Sequence, residues 1–255
     1  MTKGFYNLTS GILSQTRRLD VIGNNMTNLS TAGYKAETYT DKTFGEVLIS
    51  RIGNKDKSGA QVIGSESYIL APDKLYVDYT QGSFTETGMP LDFAIRGDGF
   101  FAIQTEGGVE YTRDGNFSLN DQGQLCLTGH GLVLGQDGAP ITLSSDRIRS
   151  DTSGRLYDQD SGSYLGQIGV YTFTDNGQLA KGESGLFQAG GQQAQAAQAA
   201  QTPTVLWKYT EDSNVDMLRE MTQMLTAQRT LQGGAQVLKL YDSLLTKATT
   251  EVGSL

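Results

Sequence analysis

A chain of 255 residues is long enough to bury a sizeable core, in one large domain or two smaller ones. Its formal charge of −8 gives an acidic surface that repels nucleic acid and anionic bilayers, so neither is expected as the main partner. A single cysteine, Cys126, excludes an internal disulfide, and no run approaches the roughly 20 apolar residues that span a bilayer.

Phe5, Ile12, Leu19 and Met26 recur every seventh residue, and Leu8, Gln15, Ile22 and Leu29 follow each by three. That spacing predicts a helix with a coiled-coil seam, starting near Lys3 and fading around Asn28, where turn residues gather. The far end repeats the pattern with Met217, Met224, Leu231, Leu238 and Leu245, accompanied by Met221, Gln228, Ala235 and Asp242. A narrow apolar seam is marginal on an isolated helix, so both need partners. An antiparallel pair within the chain, completed by other copies or related chains, is one solution. A helical hairpin closing a single globular domain is the other, and spacing leaves both open. Arg17 and Arg18 lie off the seam, as solvated or inter-subunit charges. Asn24, Asn25 and Asn28 are poor helix formers whose amides can bond backbone or neighbouring helices. Asn7, Thr9 and Ser10 interrupt the first apolar run, so no cleavable signal peptide is expected.

Residues 36–74 are polar and irregular, and are expected to form an extended connector with one short helix near 43–50. From Leu75 the period changes to two, which marks half-buried strands. Candidates run through Phe93–Ile95, Phe101–Ile103, Val109–Tyr111, Phe117–Leu119, Leu125–Leu127, Leu132–Leu134, Ile141–Leu143, Leu156–Tyr157 and Ile168–Phe173. With 32 glycines against 4 prolines to turn the chain, they predict a central antiparallel all-β domain over residues 75–188. The uncharged tract AGGQQAQAAQAAQ at 189–201 cannot build a core, and residues 189–211 are expected to be a low-complexity linker and return segment. Ser213 or Asn214 is placed to cap the last helix, with Asp216 favouring its positive end. Gly233–Gly234 would permit a bend or a close crossing, though a tolerated weak spot is the simpler reading. The expected fold is therefore α+β: a discontinuous helical coiled-coil domain (1–35 and 212–255) around a central β domain.

Chemistry is sparse. Gly97-Asp98-Gly99-Phe100-Phe101-Ala102 fits a dinucleotide fingerprint, but a strand follows where the fingerprint needs a helix. His130 lies between two glycines with no Cys or His cluster, which points to an exposed turn. Repeated Asp-Gly pairs lack the spacing of a calcium loop and suit turns. No catalytic residue, cofactor or metal is expected.

Three stretches carry a resemblance. Leu19-Asp20-Val21-Ile22-Gly23-Asn24-Asn25-Met26-Thr27-Asn28 with Thr31-Ala32-Gly33-Tyr34-Lys35 resembles the N-terminal signature of bacterial flagellar rod and hook proteins. Leu91–Phe101 with Tyr111–Phe117 resembles their central motif, and Ser213-Asn214-Val215-Asp216 with Gln228-Arg229 their C-terminal one. The resemblance, closest to the proximal or distal rod type, implies a structural axial subunit that self-assembles with other rod or hook subunits in the basal body. It implies passage through the flagellar export apparatus without a cleaved signal peptide. The subunit-packing residues would be Phe5, Leu8, Ile12, Leu19, Ile22, Asn24, Asn25, Met26, Asn28, Leu29, Met217, Met221, Met224, Gln228, Leu231, Leu238 and Leu245. A secreted or surface carbohydrate-binding β protein is the alternative; it explains the turns but not the paired heptads.

Overall fold

The seven-residue repeats form the two helices that bracket the chain in this computed structural model, which describes residues 2–44, 47–51, 61–66, 69–182, 184–189, 195–196 and 204–252. α1 spans Thr2–Thr27 and α2 spans Met217–Val252, with no break at Gly233–Gly234. The strands between them are β1 (Glu37–Phe44), β2 (Val47–Arg51), β3 (Gln61–Glu66), β4 (Ile69–Val77), β5 (Phe84–Glu86), β6 (Phe93–Arg96) and β7 (Phe100–Thr105). There follow β8 (Gly108–Thr112), β9 (Phe117–Leu119), β10 (Leu125–Leu127), β11 (Gly131–Val133), β12 (Ile148–Ser150), β13 (Arg155–Asp158) and β14 (Tyr164–Gln167). The last are β15 (Val170–Thr172), β16 (Ala180–Lys181), β17 (Phe187–Gln188), β18 (Gln195–Ala196), β19 (Thr204–Trp207) and β20 (Tyr209–Glu211).

The chain divides into two units. The helical unit holds residues 1–27, 37–76 and 216–255; the β unit holds residues 28–36 and 77–215. In the helical unit α1 and α2 run antiparallel, since Gly4 lies beside Tyr241 while Ile12 lies against Gly234. β1 pairs with β4, and β2 pairs antiparallel with β3. The stretch expected as a connector with a short helix is thus strand over Val47–Arg51, where Val, Leu and Ile favour extended backbone.

In the β unit a nine-stranded sheet runs β16-β17-β8-β7-β11-β10-β9, with β15 on β7 and β18 on β15. β12-β13-β14 form a second sheet, and β19 with β6 and β20 with β5 form two ribbons. β7 is the centre. Phe101 and Ile103 join one core with Phe93, Ile95, Leu125 and Leu156, while Phe100 and Ala102 join another with Tyr111, Leu134 and Phe187. Burial on both faces explains why β7 is a continuous apolar run instead of an alternating one. Ile141–Leu143, expected as a strand, is held by isolated bridges at Pro140 and Thr142. The Ala/Gln tract falls largely outside the described residues, although Gln195–Ala196 pair with β15. Asp137 and Asp175 accept the amides two residues on, which is turn chemistry.

Candidate functional site

The seam residues divide by burial. Ile22 and Asn25 are buried; Leu8, Ile12, Leu19, Met26, Asn28, Leu29, Met224, Leu231 and Leu238 are half-buried; Phe5, Asn24, Met217, Met221, Gln228 and Leu245 are exposed. Gly234 is a crossing point. A Cβ there would stand 3.2 Å from Ile12 Cγ1, so the glycine lets the two helix backbones approach, and the weak-spot reading gives way to the close-crossing one. Beside it runs a groove of about 550 Å³ whose lining, including Gly4, Leu8, Gly11, Ile12, Leu231 and Val237, carries no charged residue.

α1 is fastened to β1 at two places within the helical unit. The Asn25 amide donates to the Glu37 carbonyl at 2.8 Å and accepts the Glu37 N–H at 2.9 Å, so both ends of this buried side chain bond their own chain. Ser14 and Arg18 both donate to Asp41, at 2.5 and 3.1 Å. Arg18 is therefore an intrachain ion-pair partner and Asn25 an intrachain clamp. The cap of α2 is neither Ser213 nor Asn214. Asp216 accepts from the amides of Leu218 and Arg219, two residues beyond Asn214. Glu220, in the first turn of α2, is buried, and that burial raises its carboxyl above the usual range against an opposing hydrogen bond from Asn25.

Pairing does not cover the helices. Leu13 is 56% exposed on α1; on α2, Leu218 is 76% exposed, Leu240 63% and Leu244 64%, with Leu225 and Val237 also exposed. These residues lie outside the seven-residue seam, and a single narrow stripe does not include them. Leu218–Leu225 and Val237–Leu244 each repeat at seven residues, in two different registers, and those short repeats were the available signal.

A second constellation, in the β unit, escaped the sequence reading. Lys35 donates to Glu211 Oε1 at 2.6 Å and to the Thr80 carbonyl at 2.8 Å. Arg113 meets Glu211 Oε2 at 3.3 Å and donates to the Gly97 carbonyl at 2.8 Å, with its guanidinium over the Phe100 ring. Gly82 N–H donates to Glu211 Oε1 as well. Side-chain exposure is 1% for Lys35, 5% for Arg113 and 0% for Glu211. Burial lowers the pKa of both cations, and the Glu211 carboxylate opposes that shift. Asn214 completes the arrangement: it accepts the Ala36 N–H and donates to the Asp78 and Thr80 carbonyls. Gly33 adopts φ +66, and a Cβ there would sit 2.2 Å from the Asp114 nitrogen, so only glycine fits. Gly33, Tyr34 and Lys35 stand in the N-terminal motif, but a partner 176 residues away left no local sign.

Three family models match the chain in order. They are the flagella basal body rod protein (residues 5–35), the flagellar hook protein FlgE/F/G D1 domain (94–152) and the flagellar basal body rod FlgEFG protein C-terminal region (208–251). The Bacillus subtilis flagellar hook-basal body complex protein FlhO is 31% identical over all of both chains. The chain belongs to the flagellar basal-body rod protein family. The Mesorhizobium japonicum flagellar basal-body rod protein FlgF is 33% identical over 100% of this chain and 99% of its own. The Bacillus subtilis flagellar basal-body rod protein FlgG is 32% identical over 96% and 97%. This rod-family member is accordingly a structural subunit of the basal body that assembles with other rod or hook subunits. No helix among the described residues is long and apolar enough to cross a membrane. The carbohydrate-binding alternative is set aside by this membership.

Proposed function

We propose that the protein polymerises through α1 and α2 and transmits torque along the rod. One observation carries this reading: the two helices only half-bury each other's seam and leave Leu13, Leu218, Leu225, Val237, Leu240 and Leu244 in water. Full burial of each such side chain contributes about 1.5–3 kcal/mol, so several together outweigh the cost of ordering an interface. The helical unit is the assembly unit, with Phe5, Met217, Met221 and Leu245 joining those contacts; Ile22 and Asn25 already serve the subunit's own fold. The β unit stiffens the assembly. The reading involves no catalysis, cofactor, nucleic acid or membrane insertion, and has the subunit reach the rod through the flagellar export apparatus. Sedimentation velocity and electron microscopy across a concentration series test it. The native chain is expected to form elongated assemblies, and Leu240→Gln with Leu244→Gln to stay monomeric with unchanged helix content. Equal assembly of both proteins would contradict the proposal.

A further inference from the structure

The chain passes between its two units at 27–28, 36–37, 76–77 and 215–216. Just inside the β unit, the segments leading from the last three of these crossings converge on one cluster with a buried ionic centre. Lys35 and Ala36 arrive from the first segment, Asp78, Thr80 and Gly82 from the second, and Glu211 and Asn214 from the third. Arg113 joins them to the sheet, since it holds Glu211 while its guanidinium bonds Gly97 and stacks on Phe100. The Lys35–Glu211–Arg113 centre is shielded from water, where an ion pair is weakened little by salt, and the Asn214 bonds to Asp78 and Thr80 lie at its exposed edge. Loss of the Glu211 charge would leave both Lys35 and Arg113 buried without an ion-pair partner.

We propose that this cluster is a mechanical lock: Lys35, Glu211 and Arg113, with Asn214, make the three segments open or stay closed as one body. Load entering the β unit along its chain crossings then meets a single fastening anchored in the central sheet, and the segments do not peel away one by one. The charges suit this task better than apolar packing. Hydrogen-bond geometry fixes one register, while greasy contacts allow the segments to slide. The lock is independent of which surface joins subunits, so it stands or falls apart from the polymerisation reading.

Hydrogen exchange on the full chain, in dilute solution, tests it. In the native protein the amides of 33–36, 78–82 and 211–214 are expected to exchange at one shared rate, as a cooperative group. Glu211→Gln is expected to speed all three segments together by about 100-fold while β7 and β10 keep their protection. Lys35→Met leaves the Glu211–Arg113 pair in place, keeps the chain folded, and should speed the same three segments by about 10-fold. The lock is overturned if the three segments exchange independently in the native chain. It is equally overturned if Lys35→Met frees 33–36 alone, or if either variant loosens β7 and β10 to the same degree as the segments.

Discussion

The two units solve the burial problem in opposite ways. In the β unit, Phe93, Ile95, Phe101, Ile103, Leu125 and Leu156 are all 0% exposed, and both faces of β7 are covered. In the helical unit, Ile22 and Ala227 are the buried apolar residues among those described, although two long helices are present. The sheet needs nothing further to hide its apolar surface. The helices do, and what buries them in the unit itself is largely polar: Ser14, Asn25, Glu37 and Glu220. A helix pair of this kind is held in place by hydrogen bonds while its apolar faces wait for partners.

Substitutions break the comparison in order of size. Phe101→Ala empties a fully enclosed site and is expected to destabilise the β unit by about 3–5 kcal/mol, read as a lowered urea midpoint of the strands. Leu244→Ala, an apolar truncation on the other side of the comparison, should leave monomer stability unchanged and weaken assembly alone. Asn25→Ala removes both buried bonds to the Glu37 backbone, and is expected to cost the helical unit about 2 kcal/mol, visible as faster exchange in α1 and β1.

The third contrast is with pH. Burial pushes the Asp114 carboxyl up to about 6 from 3.8, with the Asn116 amide and His130 opposing and Asp92 adding to the shift. Because the folded value lies above the unfolded one, this group's contribution is full below pH 3.8 and is lost as pH rises through 6. The β unit is therefore expected to gain about 1 kcal/mol between pH 7 and pH 5, and Asp114→Asn to remove that slope in urea titrations. The smallest effect is at the α2 cap, where Asp216→Ala should cost about 0.5–1 kcal/mol and fray the first turn in helix-resolved exchange.

How far the sequence revealed each unit follows from the range of the interactions that shape it. The helices and most strands were legible because their signals are local: a period of seven for Phe5–Met26, a period of two or a short apolar run for Phe93–Leu127. β2 and β3 were misjudged because Val47–Arg51 carries apolar residues without a clear alternation, and only its pairing with Gln61–Glu66 defines it. Lys35 was visible as part of a motif and invisible as half of an ion pair, since Glu211 is brought to it by tertiary folding. Asn25 shows the same limit. An amide at a helix end suits a contact with a neighbouring molecule or with the chain's own next strand, and geometry selected Glu37. The short apolar repeats on α2, Leu218–Leu225 and Val237–Leu244, are readable in the sequence and are masked by the longer seam beside them.

The account rests on helices that stay unfinished until sister subunits cover them, and hydrogen exchange of α2 compared between dilute monomer and assembled rod measures this directly. Protection over residues 237–245 is expected to rise strongly on assembly while β7 and β10 stay as they were. Protection of α2 that is already as high as that of β7 in the dilute monomer, and unchanged in the assembly, would contradict it.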